Sequence, residues 1–356
     1  MLVLSNEEIE KLITMKECMA ALEEMYRDVA EARVLTMPRV DNIVPCSHEE
    51  AYYAFKHMGG IWPRRHIMAL RINSDVITHP TVGNSARRVK VPLANGRWVG
   101  LVELFDTETG ELIAMFPDGV TQRMRVGAAN GLAMRYLARE DARRAGLIGS
   151  GWQAGAQLLA LLAVRPIEEV KVYSLTPEHC HAFAEEARRS TGVNIRAVDS
   201  ATECVRDVDI LLTATSSMVP IVKPEWLCEG MHLGCVKVQE VDGPVLDRCD
   251  RLVVHNKQQT SQIDNILPGT PHLSSANQEG WWKEGSARWD RIDQLSDLIA
   301  GRRPGRASAK EINGFINNVG LGLQFAAVGS LILDQARKQG VGQELPREWF
   351  SEAVHP

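Results

Sequence analysis

Residues 145–162 read AGLIGSGWQAGAQLLALL, and no other stretch of the chain restricts its fold as strongly. A short aliphatic run passes straight into Gly149, Ser150, Gly151, Trp152, Gln153 and Ala154, and then into a segment rich in alanine and leucine. Strand, glycine turn and helix in immediate succession make a G-x-G-x-x-A dinucleotide fingerprint. Gly149 permits the tight turn, Gly151 lets the backbone approach a pyrophosphate, and Ala154 allows close helix packing. The helix amino terminus offers unpaired N–H groups and the positive end of its dipole to the phosphates.

Further apolar runs, VKVYSL, VNIRAV, DILLTAT, MHLGCVKV and RLVVHN, alternate with helix-like segments. This predicts a parallel sheet covered on both faces, an α/β architecture. The second strand ends in Tyr173, Ser174, Leu175 and Thr176, about 20 residues after the glycines, where an acid would hold the ribose of NAD. No acid is present, and no arginine accompanies Ser174 and Thr176, so NAD(H) and NADP(H) both stay open. Thr213, Ala214, Thr215 and Ser216 close the fourth strand, at the sheet edge where ligands bind.

The remainder of the chain is different in texture. Ser5 with Glu8 forms a capping-box pattern ahead of two amphipathic helices over 5–31. YYAF, IMALRI, WVGLVELFD and ELIAMF, broken by DTETGE, predict an antiparallel meander. Residues 118–141 then return to helical spacing, and NGFINNVGLGLQFAAVGSLILDQARKQG reads as a closing apolar helix long enough to rejoin the first domain. Two domains suit 356 residues, 45% of them hydrophobic.

A net charge of -5 and scattered Arg-Arg pairs at 64, 87, 143 and 302 argue against a nucleic-acid surface. The amino terminus lacks a signal-peptide pattern and no run of about 18 apolar residues occurs, so the expectation is a cytoplasmic protein with no membrane partner. Seven cysteines without a CxxC pair suggest neither a disulfide framework nor a thiolate zinc site, and His179 and His181 read as solvated; no metal is expected. Arg39, Arg71 and Arg125 are candidates for holding a carboxylate, because a guanidinium matches it in bidentate fashion and Arg71 interrupts an apolar strand. Lys56 in YYAFKHMGG joins them. Trp281 and Trp282 stand in a polar stretch with no defined chemistry.

Taken in order, LSNEEIEKL, MPRV, FDTETGELIA, RMRVGAANGLAMRYLARED, LIGSGWQAGAQLLALLAVRPIEEVKVYS, DILLTATSS, LIAGRRPGR and NNVGLGLQFAAVG resemble the ornithine cyclodeaminase/mu-crystallin family over about 3–342. The resemblance implies a Rossmann NAD(P)-binding domain, residues 126–318, inserted in an α+β substrate-binding and dimerisation domain, residues 1–125 with 319–356. It implies a homodimer acting on a small imino or amino acid, with Arg39, Arg71 and Arg125 on the carboxylate and the reacting centre. It also implies that Val236, Lys237, Asn318 and Gly320 contribute to the cofactor site.

Residues 234–242, GCVKVQEVD, depart from that pattern. Alternation would put Cys235, Lys237 and Gln239 on one face of a strand, and a half-exposed edge strand is the plain reading. Relatives end this strand in Gly-Ala-Asp, and an ungapped match over 232–247 places Gln239 on the aspartate and Lys237 on the glycine. Glutamine does not titrate, so Lys237 is the candidate either to bind an acidic group or to deliver a proton to an imine; a slipped match would bring in Glu240 or Asp242 instead. The leading expectation is an NAD(P)H-dependent imine reductase or amino-acid dehydrogenase in which Arg71, Lys237 and Gln239 are catalytic, with iminosuccinate to aspartate as a narrower form. The alternatives are an ornithine cyclodeaminase with bound NAD and a non-catalytic crystallin-like NADPH-binding protein.

Overall fold

The computed structural model of the chain describes residues 1–82, 85–257, 262–266 and 286–354, so Trp281 and Trp282 lie outside the described residues. The chain opens with β1 (Leu2–Val3), α1 (Asn6–Leu12) and α2 (Met15–Ala30). Both helices start in capping boxes: Ser5 Oγ accepts the Glu8 N–H at 3.2 Å while the Glu8 carboxylate accepts the Ser5 N–H at 2.8 Å, and Thr14 with Glu17 repeats the device.

A meander follows in β2 (Val40–Pro45), β3 (Ala51–Trp62), β4 (Ile67–Thr78), β5 (Val89–Val91), β6 (Val99–Asp106) and β7 (Leu112–Pro117). The long strands β3 and β4 pair from Ala51↔Thr78 to Trp62↔Ile67. Their alternation sends Tyr52, Ala54, Lys56 and Met58 of β3, and Arg71, Asn73, Asp75 and Ile77 of β4, into the interior. Half of these eight side chains are polar or charged, which an ordinary core face would not carry.

α3 (Gly119–Leu137) leads out of this sheet into the second domain. There β8 (Arg144–Ile148), α4 (Trp152–Val164), β9 (Glu169–Tyr173), α5 (Pro177–Thr191), β10 (Asn194–Ala197), β11 (Ile210–Thr213), β12 (His232–Cys235) and β13 (Arg251–Val254) alternate as the apolar runs predict. α3 packs closely on α4, because a Cβ on Gly127 would fall 2.6 Å from the Ala156 carbonyl oxygen.

Further strands are β14 (Gln262–Asn265), β15 (Asp293–Gln294), β16 (Asn313–Ile316) and β17 (Gln343–Glu344), with α6 (Leu323–Gln339) near the carboxyl end. The second sheet runs β10-β9-β8-β11-β12-β16-β13-β15, every pairing parallel. The first runs β14-β2-β3-β4-β6-β7-β1-β17, with β5 on β4 and the two-residue strand Leu35–Thr36 on β3.

Two details correct the sequence reading. NGFI is a fully buried strand inserted between β12 and β13, with Phe315 opposite Gly234 and Val253, and the closing helix begins only at Leu323. A four-residue apolar run carries no periodicity that separates strand from helix. Residues 262–265 join the edge of the first sheet, parallel to β2, although they fall within the stretch assigned to the nucleotide domain. α6 covers the buried face of the first sheet along β3, β4 and β6, α2 and α3 pack on α6 and on each other, α3 also reaches β12 and β16 of the second sheet, and together they form a core containing Leu22, Met25, Tyr26, Trp62, Phe116 and Phe325.

Candidate active site

A cavity of about 880 Å³ opens at the carboxyl edge of β8, β9 and β11. Gly149 turns the chain there with φ of +119°, and a Cβ at this position would stand 2.3 Å from the Ala214 carbonyl oxygen, so only glycine fits. Gly151 caps α4 without a side chain and has open space beside it, leaving the first-turn N–H groups of a 13-residue helix beside the cavity. Ser150 Oγ donates to Ser174 Oγ at 2.9 Å, tying the glycine turn to the end of β9. These features fit a dinucleotide pyrophosphate with its ribose toward Ser174 and Thr176.

Gly149, Ser150, Gly151, Trp152, Gln153, Ser174, Thr176, Ala214, Thr215, Ser216 and Val236 all line this cavity. Trp152 is clamped from outside, with the Arg123 guanidinium 3.9 Å from its ring and its Nε1 donating to the Gly119 carbonyl oxygen at 3.2 Å. Ala154 is fully buried and serves helix packing. Thr213, Lys237, Asn318 and Gly320 are not part of the cavity wall. The Thr213 hydroxyl turns away to Glu240, and the Asn318 amide is occupied by the Asn256 backbone, donating at 2.8 Å and accepting at 3.2 Å.

GCVKVQEVD is not a strand to its end. β12 stops at Cys235, level with Thr213 of β11 and Ile316 of β16, and residues 238–240 make a single 3-10 turn. The cause is Glu240, whose carboxylate reaches back under the sheet edge. It accepts from Thr213 Oγ1 at 2.8 Å, the Thr215 N–H at 2.7 Å, Thr215 Oγ1 at 2.8 Å and the Val236 N–H at 3.1 Å. Four bonds fill its acceptor positions, and burial pushes its pKa up. Asp242 caps the next short helix by accepting the Val245 N–H. Neither carboxylate therefore takes the place of the missing aspartate. Lys237 begins the turn half-buried, its pKa lowered to about 8 by burial and by the charge of Arg88, against the pull of Glu240. Gln239 lies half-buried in the same turn.

The arginines come together on the first sheet's buried face. Arg71 donates to Asp118 through Nε at 2.8 Å and Nη2 at 2.7 Å, and Asn73 donates to the same oxygen at 3.0 Å. Arg125, on α3, bonds only neutral partners among the described residues, Gln122 Oε1 at 2.9 Å and Gln324 Oε1 at 2.7 Å. Phe325 lies under both guanidiniums, its ring 5.7 Å from Arg71 and 5.3 Å from Arg125. Burial, then the charge of Arg71, brings the Arg125 pKa down to about 9, and the positive field of Arg39 acts on both. Arg39 itself is held by Asp41 through two 2.7 Å contacts. Gly320 completes the enclosure, since a Cβ there would come 3.3 Å from both terminal nitrogens of Arg125. Lys56 donates to Asp75 at 2.7 Å, yet burial first and the Arg88 charge second lower its pKa to about 7.

Arg88 and Asp118 are candidate site positions that the sequence does not announce, and Glu240, which enters there only through a slipped match, stands in a different role. Arg88 is visible only as half of one of the scattered Arg-Arg pairs, and the acids have no motif.

A parallel sheet bearing a dinucleotide turn, joined to a sheet whose buried face gathers arginines, defines a two-domain dinucleotide-dependent enzyme with a Rossmann domain. The chain belongs to the ornithine cyclodeaminase/mu-crystallin family, whose profile matches residues 1–340. It is 30% identical to the alanine dehydrogenase of Archaeoglobus fulgidus over 350 residues, 97% of this chain and 98% of that protein. It is 27% identical to the iminosuccinate reductase of Paracoccus denitrificans over 350 residues, 97% of this chain and 99% of that protein. Among solved structures it is similar to the Delta(1)-pyrroline-2-carboxylate reductase of Thermococcus litoralis in complex with NADH and L-proline, with a TM-score of 0.78, 29% identity, and coverage of 97% and 100% of the two chains.

Proposed function

We propose that the protein reduces a small 2-imino acid to the corresponding amino acid with NADH or NADPH. The observation that carries this reading is Arg125: a guanidinium buried to 5% exposure with no carboxylate bound to it among the described residues, beside a second buried arginine and over an aromatic ring. Such a charge is a site for a ligand carboxylate, because an uncompensated buried ion is costly. The relatives support the reaction class, since their names describe oxidation or reduction at an amino or imino carbon beside a carboxylate.

In this reading Arg125 and Arg71 hold the carboxylate, with Arg39 adding field, and Phe325 excludes water from beneath it. The nucleotide supplies a hydride to the imine carbon when bound. Lys237 keeps a proton at Nζ for the imine nitrogen, with its pKa of about 8 close to the working range. Gln239 takes part as a hydrogen-bonding rather than a titrating group. Cyclodeamination has less support, because the carboxylates near the site are engaged by Glu240's four bonds and the Asp242 cap. A homodimer belongs to the same reading, supported by exposed Leu35 and Trp98 on or beside the first sheet.

The test is to mix purified protein with glyoxylate, pyruvate or oxaloacetate, each with ammonia or methylamine, and follow oxidation of NADH and of NADPH. Amine-dependent oxidation is the expected result. Tight nucleotide binding with no turnover would mean a binding protein, and ammonia and proline from ornithine without net nucleotide consumption would mean a cyclodeaminase.

A further inference from the structure

The cations around the site fall into two groups. Arg39, Arg71 and Arg125 have Asp41 and Asp118 among them; the other group, Lys56, Arg88 and Lys90, has one carboxylate. Asp75 holds Lys56 at 2.7 Å and Lys90 at 2.8 Å, which leaves Arg88 without a carboxylate partner among the described residues. Lys90 lies opposite Ile77 on β4, so its side chain reaches Asp75 on the same buried face.

Arg88 is held at the domain junction by backbone. Arg87 bridges Ser217, the Arg88 N–H donates to the Ser216 carbonyl oxygen at 3.3 Å, and the Met218 N–H donates to the Ala86 carbonyl oxygen at 2.9 Å. This strap places Arg88 in the wall of the nucleotide cavity, at the end of β11. Its charge acts on Tyr52, Lys56 and His79 of the first domain and on Lys237 of the second. In register Lys56 faces Asn73, two residues along the same face from Arg71. Diagonal neighbours of this kind stand about 7–8 Å apart, within the span of a four-carbon diacid and two long side chains.

We propose that Arg88, with Lys56 beside it, binds a second carboxylate of the substrate, making the protein selective for 2-imino dicarboxylates. The first carboxylate goes to Arg71 and Arg125, and this assignment rests on the imino-acid reading above. The nucleotide pyrophosphate is the competing anion, since Arg88 lines the same cavity, but the glycine turn and the α4 amino terminus already serve it, and Lys90, two residues from Arg88, shares the Asp75 carboxylate with Lys56.

The experiment compares native protein with Arg88→Gln and Arg88→Lys. Three quantities are read: kcat/KM with oxaloacetate plus ammonia, kcat/KM with pyruvate plus ammonia, and the Kd for NADH. Calorimetry of L-aspartate and L-alanine binding to the NAD-saturated protein adds a readout independent of turnover. The native protein is expected to prefer the diacid, and Arg88→Gln to reduce that preference on the order of 10- to 100-fold, the loss of one charge-assisted pair, with partial recovery in Arg88→Lys. A parallel fall for both substrates with weaker NADH binding would assign Arg88 to the nucleotide and overturn the proposal, as would a native protein indifferent to the second carboxylate. Absence of turnover with an Arg88-dependent preference for aspartate would uphold Arg88 and refute the reductase reading.

Discussion

Arg125 is held in place by a chain of neutral side chains that begins far from it in sequence. His255 Nδ1–H donates to the Val319 carbonyl oxygen, which leaves Nε2 to accept the Tyr26 hydroxyl proton. Gln324 Nε2 donates to the Tyr26 oxygen at 3.1 Å, and Gln324 Oε1 accepts from Arg125. Burial pushes the Tyr26 pKa up and the His255 pKa down to about 3, so neither titrates near neutrality and the relay keeps one arrangement. Tyr26→Phe removes the central hydroxyl, which takes the hydroxyl partner from His255 Nε2 and leaves Gln324 Nε2 with the Arg125 carbonyl oxygen at 3.4 Å. Its expected effect is a rise in substrate KM on the order of 10-fold with little change in kcat or in NADH affinity, and a loss of about 1–3 kcal/mol in urea unfolding. An equal loss in kcat and nucleotide affinity would make Tyr26 merely structural.

At the scale of elements, the end of β12 decides what the site can do. The period-two pattern of CVKVQ continues past Cys235, yet β11 ends at Thr213, so no neighbouring edge remains to pair Lys237. Glu240 replaces the missing ladder by accepting the N–H groups of Thr215 and Val236 on different oxygens. Glu240→Gln must set an amide NH₂ against one of those donors. It is expected to lower the urea midpoint by the equivalent of about 1–3 kcal/mol at unchanged m-value, and to weaken NADH binding because Thr215 and Val236 line the cavity. Unchanged stability and nucleotide affinity would show that the carboxylate network is dispensable.

Across the whole molecule, two domains press a surplus of positive charge into one junction, and burial lowers the amines there. Lys56 falls from 10.5 to about 7 and Lys237 from 10.5 to about 8. Each bears less charge as pH rises through these values, so the KM for an anionic substrate is expected to climb between about pH 7 and 9. Stability moves the other way. The unfolded chain binds protons at these lysines up to about 10.5 while the native state releases them, so this contribution rises with pH from about 7 to 10.5, and the penalty is complete below about 7. Paired measurements of KM and of urea midpoints over that range check both signs. The strand-turn-helix at 145–162, the capped amino-terminal helices and the meander were legible in the sequence, because each depends on residues within about one turn or one hairpin of each other. The candidate cations Arg39, Lys56, Arg71 and Arg125 were legible as residue types, but their neighbours were not. Tertiary structure alone turned Glu240 inward, slid β16 between β12 and β13, joined Tyr26 to His255 across 229 positions, and brought Arg88 to Ser216. Those outcomes depend on which distant surfaces fill the same volume and on where buried polar groups find partners, and no local pattern in the chain records either.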